Sequence, residues 1–391
     1  MKKYSKILVG LFTFSVLLSL LTVGCSRNET CTITEKDGVK HYQNRNVPAN
    51  PNLKLVIDNK LEIVGNAEDS LMSFSHASDM EMDDDGNFYI LDGASQTIHK
   101  YDKTGKYLLN FCRAGNGPGE INGAQDIAIV GDSLTICSPR QARGSVFDLN
   151  GNFARNQKIG IPGLYYGVVD IGIGANDILG YHPTFLVEGE QVFIGNELVI
   201  KDKKYKTKIV LHEVPATIEP MDIEGAKIVL TPFASYGDNI YYPTKFTSSY
   251  TINIKDKKGN LKGVISKHAR RIEVNPEEKK HYQESSQFGW NGERIIPDYK
   301  LKAVMNKMFT DKYGHLLVWV SQQRKEGFKH NPAIDIFKDG VFQNTIVIDV
   351  VKLIEAPIPT DETFHFMEDK LVVYDGIKNA YSIYDYHYEG M

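Results

Sequence analysis

Asp79-Met80-Glu81-Met82, Asp126-Ile127-Ala128-Ile129 and Asp170-Ile171-Gly172-Ile173 are three copies of one pattern, spaced 47 and 44 residues apart. In each, an acid opens a short run whose apolar residues alternate, the period of a strand. A polar turn and a second strand follow, as in Asp85-Gly86 before Phe88–Leu91 and Gly131-Asp132 before Leu134–Ile136. Third strands end in acidic-glycine turns, Asp102-Lys103-Thr104-Gly105 and Asp148-Leu149-Asn150-Gly151. Fourth strands follow at Tyr107–Phe111 and Phe153–Gln157. Four short strands per ~46 residues, joined by Asp/Asn/Gly hairpins, is the signature of a β-propeller blade.

Working outward, later copies drift but stay legible. Ile240–Tyr242, Tyr250–Ile254 and Asp256-Lys257-Lys258-Gly259 make a fourth unit. Asp311-Lys312-Tyr313-Gly314, Leu316–Val320 and Ile334–Phe337 make a fifth. Lys370–Tyr374 and Tyr381–Tyr384 begin a sixth that ends at Met391 without an outer strand. Leu53–Ile57 and Leu61–Val64 stand ready at the other end. An N-terminal outer strand would close the ring and hide two sheet edges. The expected fold is therefore all-β, a six-bladed β-propeller of four-stranded antiparallel blades over residues 51–391. One partly helical excursion, 267–302, interrupts it. There Asn275-Pro276-Glu277-Glu278 supplies a cap, a first-turn proline and first-turn acids, predicting a helix from Pro276 to Ser285. Phe288-Gly289-Trp290-Asn291 then reads as an aromatic loop.

The first 24 residues stand apart. Lys2, Lys3 and Lys6 precede an uncharged run from Ile7 to Val23, too short for a comfortable membrane span and suited to a signal peptide. Leu21-Thr22-Val23-Gly24-Cys25 has the form of a lipobox, with Cys25 the residue to be acylated by palmitate or a similar chain. Residues 25–50 lack apolar periodicity and read as a flexible tether. The expected address is the outer membrane, on its periplasmic face or at the cell surface, with the membrane held through the N-terminal lipid. Formal charge is −4, and removal of the leader, with three lysines and no acid, takes it to −7. An acidic body without a basic stripe argues against nucleic acid as partner. Cys31 falls in the tether, and Cys112 and Cys137 sit in strand-like runs as small apolar residues; no cysteine pattern points to zinc.

Arg113-Ala114-Gly115-Asn116-Gly117-Pro118-Gly119-Glu120 resembles the G-x-G-P-G-E blade junction of six-bladed propeller lipoproteins from Bacteroides-type bacteria. Ile296-Pro297-Asp298-Tyr299 and Met308–Val320 resemble the start of their fifth blade. The resemblance, to a TolB-like and NHL-like group, covers about residues 50–391. It implies a propeller lipoprotein of the cell envelope and carries no agreed activity or catalytic residues.

Chemical motifs are sparse. Gly115–Gly119 lacks the G-K-[ST] ending of a phosphate loop and runs into strand, so it reads as a blade-to-blade turn. Glu81, Asp83, Asp85, Gly86 and Asp92 imitate a calcium loop, but apolar Phe88–Leu91 stands where oxygen ligands are needed. What remains is the channel mouth. Asp79, Asp126 and Asp170 occupy equivalent positions and form part of a ring there, as turn caps or as a site for a divalent cation or polar ligand. Arg113, Arg140, His182 and His365 stand near blade entrances as ligand-binding candidates, with no catalytic residue assigned. Two functions follow. One is a monomeric, non-catalytic binding module for a glycan, peptide or envelope protein. The other is a metal-dependent, lactonase-like hydrolase or lyase working in the central channel, a likeness of fold only.

The address is open to a direct check. Cys25→Ala removes the atom that carries the lipid, so the protein should leave the membrane fraction or persist as uncleaved precursor. Unchanged fractionation, with no labelling by fatty-acid analogues, would overturn the lipid anchor.

Overall fold

Six turns share one chemistry. The carboxylates of Asp83, Asp102, Asp148, Asp202, Asp256 and Asp311 each accept the backbone N–H of the second and fourth following residues, at 2.8–3.1 Å. The third residue after the acid has φ between 62° and 87°, and it is Gly86, Gly105, Gly151, Gly259 or Gly314 in five turns. Tyr205 takes that place in the sixth, although a side chain there costs ~1–2 kcal/mol. Its ring meets Lys201 at 5.3 Å, and its hydroxyl lies 3.3 Å from the Cys137 sulfur. Side-chain hydrogen bonds from Thr104, Asn152 and Asn260, joined by backbone N–H groups, hold Asp102, Asp148 and Asp256 below the usual carboxylate range. That contribution to stability is present at neutral pH and is lost as pH falls through the lowered values.

These turns join the strands of a six-bladed β-propeller, seen in a computed structural model that describes residues 30–66, 73–159, 170–188, 191–214, 232–245, 248–284, 287–288, 294–295, 300–324, 326–327, 329–354 and 364–391. Cys25, the leader, Gly289–Asn291 and Ile296–Tyr299 lie outside the described residues. Blade one runs from Ala77–Met82 to Tyr107–Phe111, blade two from Asp126–Val130 to Phe153–Lys158, and blade three from Asp170–Gly172 to Thr207–Val214. Blade four runs from Ala234–Tyr236 to Leu261–Lys267, and blade five from Met305–Thr310 to Val341–Val347. The first strands of neighbouring blades lie against each other around the axis. Blade three departs in its length, since its middle strands, Asp177–Glu188 and Gln191–Asp202, have 12 residues each.

Each sheet is covered on both faces by its neighbours, which is why Phe88–Leu91 and Leu316–Val320 read as unbroken apolar runs. The core is accordingly a set of layers between blades. Tyr89, Leu91 and Ile98 of blade one meet Ile127, Leu134 and Phe147 of blade two. Met305, Leu316 and Phe337 of blade five meet Ile252, Ile254 and Ile265 of blade four.

Blade six contains Phe364–Met367, Lys370–Asp375 and Ala380–Glu389, and its outer strand comes from the N-terminal side, Lys54–Val64. The two expected segments are one strand, paired antiparallel with Ala380–Glu389 through a bulge between Asp58 and Lys60. Asn59 at the bulge has φ 34° and donates to Asp385.

The tether expected over residues 25–50 is corrected from Cys31 onward. Cys31–Lys36 and Val39–Asn44 form a hairpin, and its second strand adds parallel to Leu261–Lys267, widening blade four to six strands. The hairpin turns at Asp37-Gly38, both with positive φ, as a two-residue turn matching strand twist requires. Its apolar face exists only once docked, so no periodicity marks it. Asn44 clamps the far end, donating to the Gly340 carbonyl and accepting the Phe342 N–H. Cys31 is buried there. Cys112 donates to the Gln96 carbonyl, and burial pushes its thiol up to about 12.

The helix Pro276–Glu284 is present, and Ser285, its expected last residue, lies outside the described residues. Asn275 Oδ1 accepts the N–H groups of Glu277 and Glu278, while Glu278 Oε2 accepts that of Asn275, a reciprocal capping box. The helix start is tied to blade five. The fully buried Glu278 pairs with the fully buried Lys302, and Asn275 Nδ2 donates to the Gly327 carbonyl.

Deletion of residues 26–48 removes the hairpin from a blade that already has four strands. Deletion of 26–66 also leaves blade six with three strands and an open edge. The longer deletion should lower the thermal midpoint further and promote aggregation. Equal midpoints in a melting comparison would overturn this role for Lys54–Val64.

Candidate functional site

Antiparallel order places the acidic turns on one face of the ring, and the connections between blades on the other. The sequence-predicted residues all belong to that second face. Asp79 spends its carboxylate on backbone: Oδ2 accepts the Ile127 N–H of blade two and Oδ1 the Met80 N–H, both at 2.8 Å. It thus stitches the seam between blades one and two. Asp126 is half-buried on the first strand of blade two. Asp170 opens blade three, and Arg140 lies in the single turn Pro139–Gln141; their side chains fall outside the described residues.

Arg113 is spent within the glycine-rich junction. Its guanidinium pairs with Glu120 at 2.9 Å, and Glu120 also accepts the Gly117 N–H, which with Arg113 holds its carboxyl below the usual range. Arg143, not singled out from sequence, pins the same loop through the Asn116 and Glu120 carbonyls. The glycine-rich segment is therefore a self-bonded turn between blades. Asp83, from the calcium-like spacing, is used by its own turn and by the Tyr89 hydroxyl. His182 is exposed on the long second strand of blade three, and His365 meets the edge of the Phe309 ring. Among the described residues, no three His, Cys, Asp or Glu side chains gather as a metal site.

The structure instead opens a cavity of about 520 Å³ at the seam between blades four and five. Its lining holds a polar cluster centred on the buried Asp335. Asp335 Oδ2 lies 2.7 Å from the Lys267 ammonium and accepts the Tyr250 hydroxyl at 2.8 Å, while Oδ1 accepts the Thr345 hydroxyl at 2.5 Å. The Lys267 ammonium also sits 3.7 Å from the centre of the Phe342 ring. Burial, reinforced by Asp335, pushes the Tyr250 phenol well above its ordinary value, so it remains a donor. Lys267 ends the outer strand of blade four, and Asp335 sits within Ala333–Lys338 of blade five, so the pair exists only across the seam. Val304, Val320, Val347 and Phe342 give the walls an apolar character, and Asn46, Gln323, His268 and Arg270 stand around the opening. Sequence reasoning missed this site, but two signals were present. Asp335 interrupts the apolar run Ala333-Ile334-Asp335-Ile336-Phe337, and Lys267-His268-Ala269-Arg270-Arg271 is a basic run in an acidic chain.

Fold and site together define a propeller of six four-stranded blades with an inter-blade cavity on its loop-bearing face. A family model described as a six-bladed β-propeller, DUF5128, matches residues 69–288, more than half of the chain, and the protein belongs to that family. Among solved structures, a DUF4221 member from Bacteroides vulgatus is 11% identical, with 87% of this chain and 99% of that one covered at a TM-score of 0.50. A Bacteroides fragilis protein inferred to be exported is 12% identical, with 89% and 99% covered at 0.49. Virginiamycin B lyase from Staphylococcus aureus is 11% identical, with 85% and 99% covered at 0.38. These likenesses show the fold alone. No curated protein matches the chain. Among the described residues, no helix is long and apolar enough to cross a membrane.

Asp335→Ala leaves the Lys267 ammonium buried without its anion, which should cost about 3–5 kcal/mol in chemical denaturation. The double variant Lys267→Met with Asp335→Leu should cost clearly less than the sum of the single changes. Additive losses would show that the two side chains are not coupled.

Proposed function

We propose that this protein is a monomeric, lipid-anchored cell-envelope propeller that acts as a non-catalytic binding module, with its ligand site in the cavity between blades four and five. The observation that carries the reading is the cavity itself. It is walled by apolar side chains, bears convergent polar groups and has a size within the ~300–1,000 Å³ of small-molecule sites. Asp335, the one carboxylate among the described lining residues, has both oxygens engaged, so the arrangement favours recognition over acid–base chemistry. A glycan, a peptide or an exposed part of an envelope protein are ligands of suitable kind. The anchor rests on Leu21–Cys25, and the short distance in sequence from Cys25 to the hairpin at Cys31 holds the body close to the lipid.

Glycan and peptide arrays test the reading, probed with the soluble body and with Asn46→Trp, which places a bulky ring at the rim from an exposed position. Ligands retained by the natural protein should be lost on the variant, with the thermal midpoint unchanged. Binding that survives the rim block would move the site elsewhere. A stoichiometric divalent ion retained by the purified protein would favour the hydrolase or lyase reading.

A further inference from the structure

We infer that the cavity between blades four and five selects an acidic saccharide, a hydroxyl-rich ring bearing one carboxylate, and that Arg270 is the residue that reads the carboxylate. The inference rests on the proposed binding role of this cavity and gives that role a ligand class.

The charge within the lining argues first. Its charged side chains are Lys267, Arg270 and Asp335. Lys267 and Asp335 neutralise one another there, where Tyr250 and Thr345 complete the coordination of the carboxylate. Among the described lining residues, one positive charge is left without an anion, that of Arg270. Four arginines elsewhere are engaged by the protein: Arg113 by Glu120, Arg143 by the junction loop, Arg155 by the Lys203 carbonyl and Arg324 by Gln322. The Arg270 guanidinium is exposed and has no side-chain partner among the described residues. A planar fork of donors, presented unpaired beside a cavity, suits a bidentate carboxylate.

The neutral groups argue second. Asn46 and Gln323 line the same opening and likewise have no side-chain hydrogen bond among the described residues. An amide offers a donor and an acceptor together, the complement of a hydroxyl, which is also both. The apolar side chains of Val320 and Val347 supply a surface for the less polar face of a sugar ring. A simple inorganic anion would leave the amides and the apolar wall unused, and a neutral sugar would leave the guanidinium unused. A sugar acid uses all three.

The test titrates the soluble body, by calorimetry, with disaccharides containing glucuronate, galacturonate or mannuronate and with their neutral counterparts, which differ by a hydroxymethyl group in place of the carboxylate. At least one acidic member should bind, and its neutral counterpart should bind about ten-fold or more weakly. Arg270→Gln should abolish that difference, Arg270→Lys should restore part of it, and neither exposed change should move the thermal midpoint. Neutral members binding as well as acidic ones, with no response to Arg270→Gln, would overturn the acid selectivity while leaving the cavity as the site. Acidic members binding unaffected by Asn46→Trp would overturn the cavity reading itself. If no member of the panel binds while another class of array ligand is lost on Asn46→Trp, the saccharide class falls and the binding role stands.

Discussion

A ring of sheets has no stable open form, and everything in this molecule depends on how the ring is closed. Blade six is built from the last strands of the chain plus Lys54–Val64, which pairs along Ala380–Glu389 from Val64 to Lys54. That ladder joins segments more than 300 residues apart, so the closure entropy is met only when the other five blades are in place. In return, two edges that would otherwise invite other strands are satisfied at once. The Asn59 bulge keeps both ends of the strand in register and increases local twist. The same ring pressure explains why the apolar layers lie between blades: an isolated blade has two apolar faces and nothing to cover them.

The seam between blades four and five is unlike the others described. Elsewhere the path from an outer strand to the next first strand is short, as from Phe111 to Asp126, and the Asp79 carboxylate bonds directly across the seam between blades one and two. Between Lys267 and Met305 the chain instead makes a long detour through the capped helix, and the hairpin Cys31–Asn44 widens blade four alongside it. Lys302 and Glu278, both fully buried, fasten that detour to the propeller. A buried ion pair of this kind is costly to desolvate and contributes geometry as much as stability. The second buried pair, Lys267 with Asp335, lies in the cavity lining. Two ionic contacts thus stand at this seam beside its apolar layer.

Legibility followed distance along the chain. The blades, the acidic-glycine turns and the capped helix are local, each decided by side chains within a few residues of the backbone they organise, so their signals survive in sequence. The turn at Asp202, with Tyr205 in the glycine place, was not apparent. Equivalent positions in the repeat were visible too: Asp126 and Asp170 open the first strands of blades two and three, and Asp79 is the third residue of that of blade one. What the repeat could not convey is that Asp79 is occupied by the Ile127 N–H, because that bond crosses between units. Arg113 was read as a ligand candidate for the same reason, its partner Glu120 being part of a loop whose fold was not apparent from glycine content.

The sequence by itself determined a propeller of six blades, its closure by N-terminal residues and a helix beginning at Pro276, since composition, period and turn chemistry act locally. Only the tertiary structure decided that Asp37-Gly38 turns a hairpin onto blade four. The strand after that turn finds its ladder partner in Leu261–Lys267, more than 200 residues along the chain. It also decided the site. Lys267, Asp335, Tyr250 and Phe342 come from two blades up to 92 positions apart, and Asn46 arrives from beyond the hairpin. A cavity is a gap between elements, and its lining is set by how the blades pack, which no local pattern encodes.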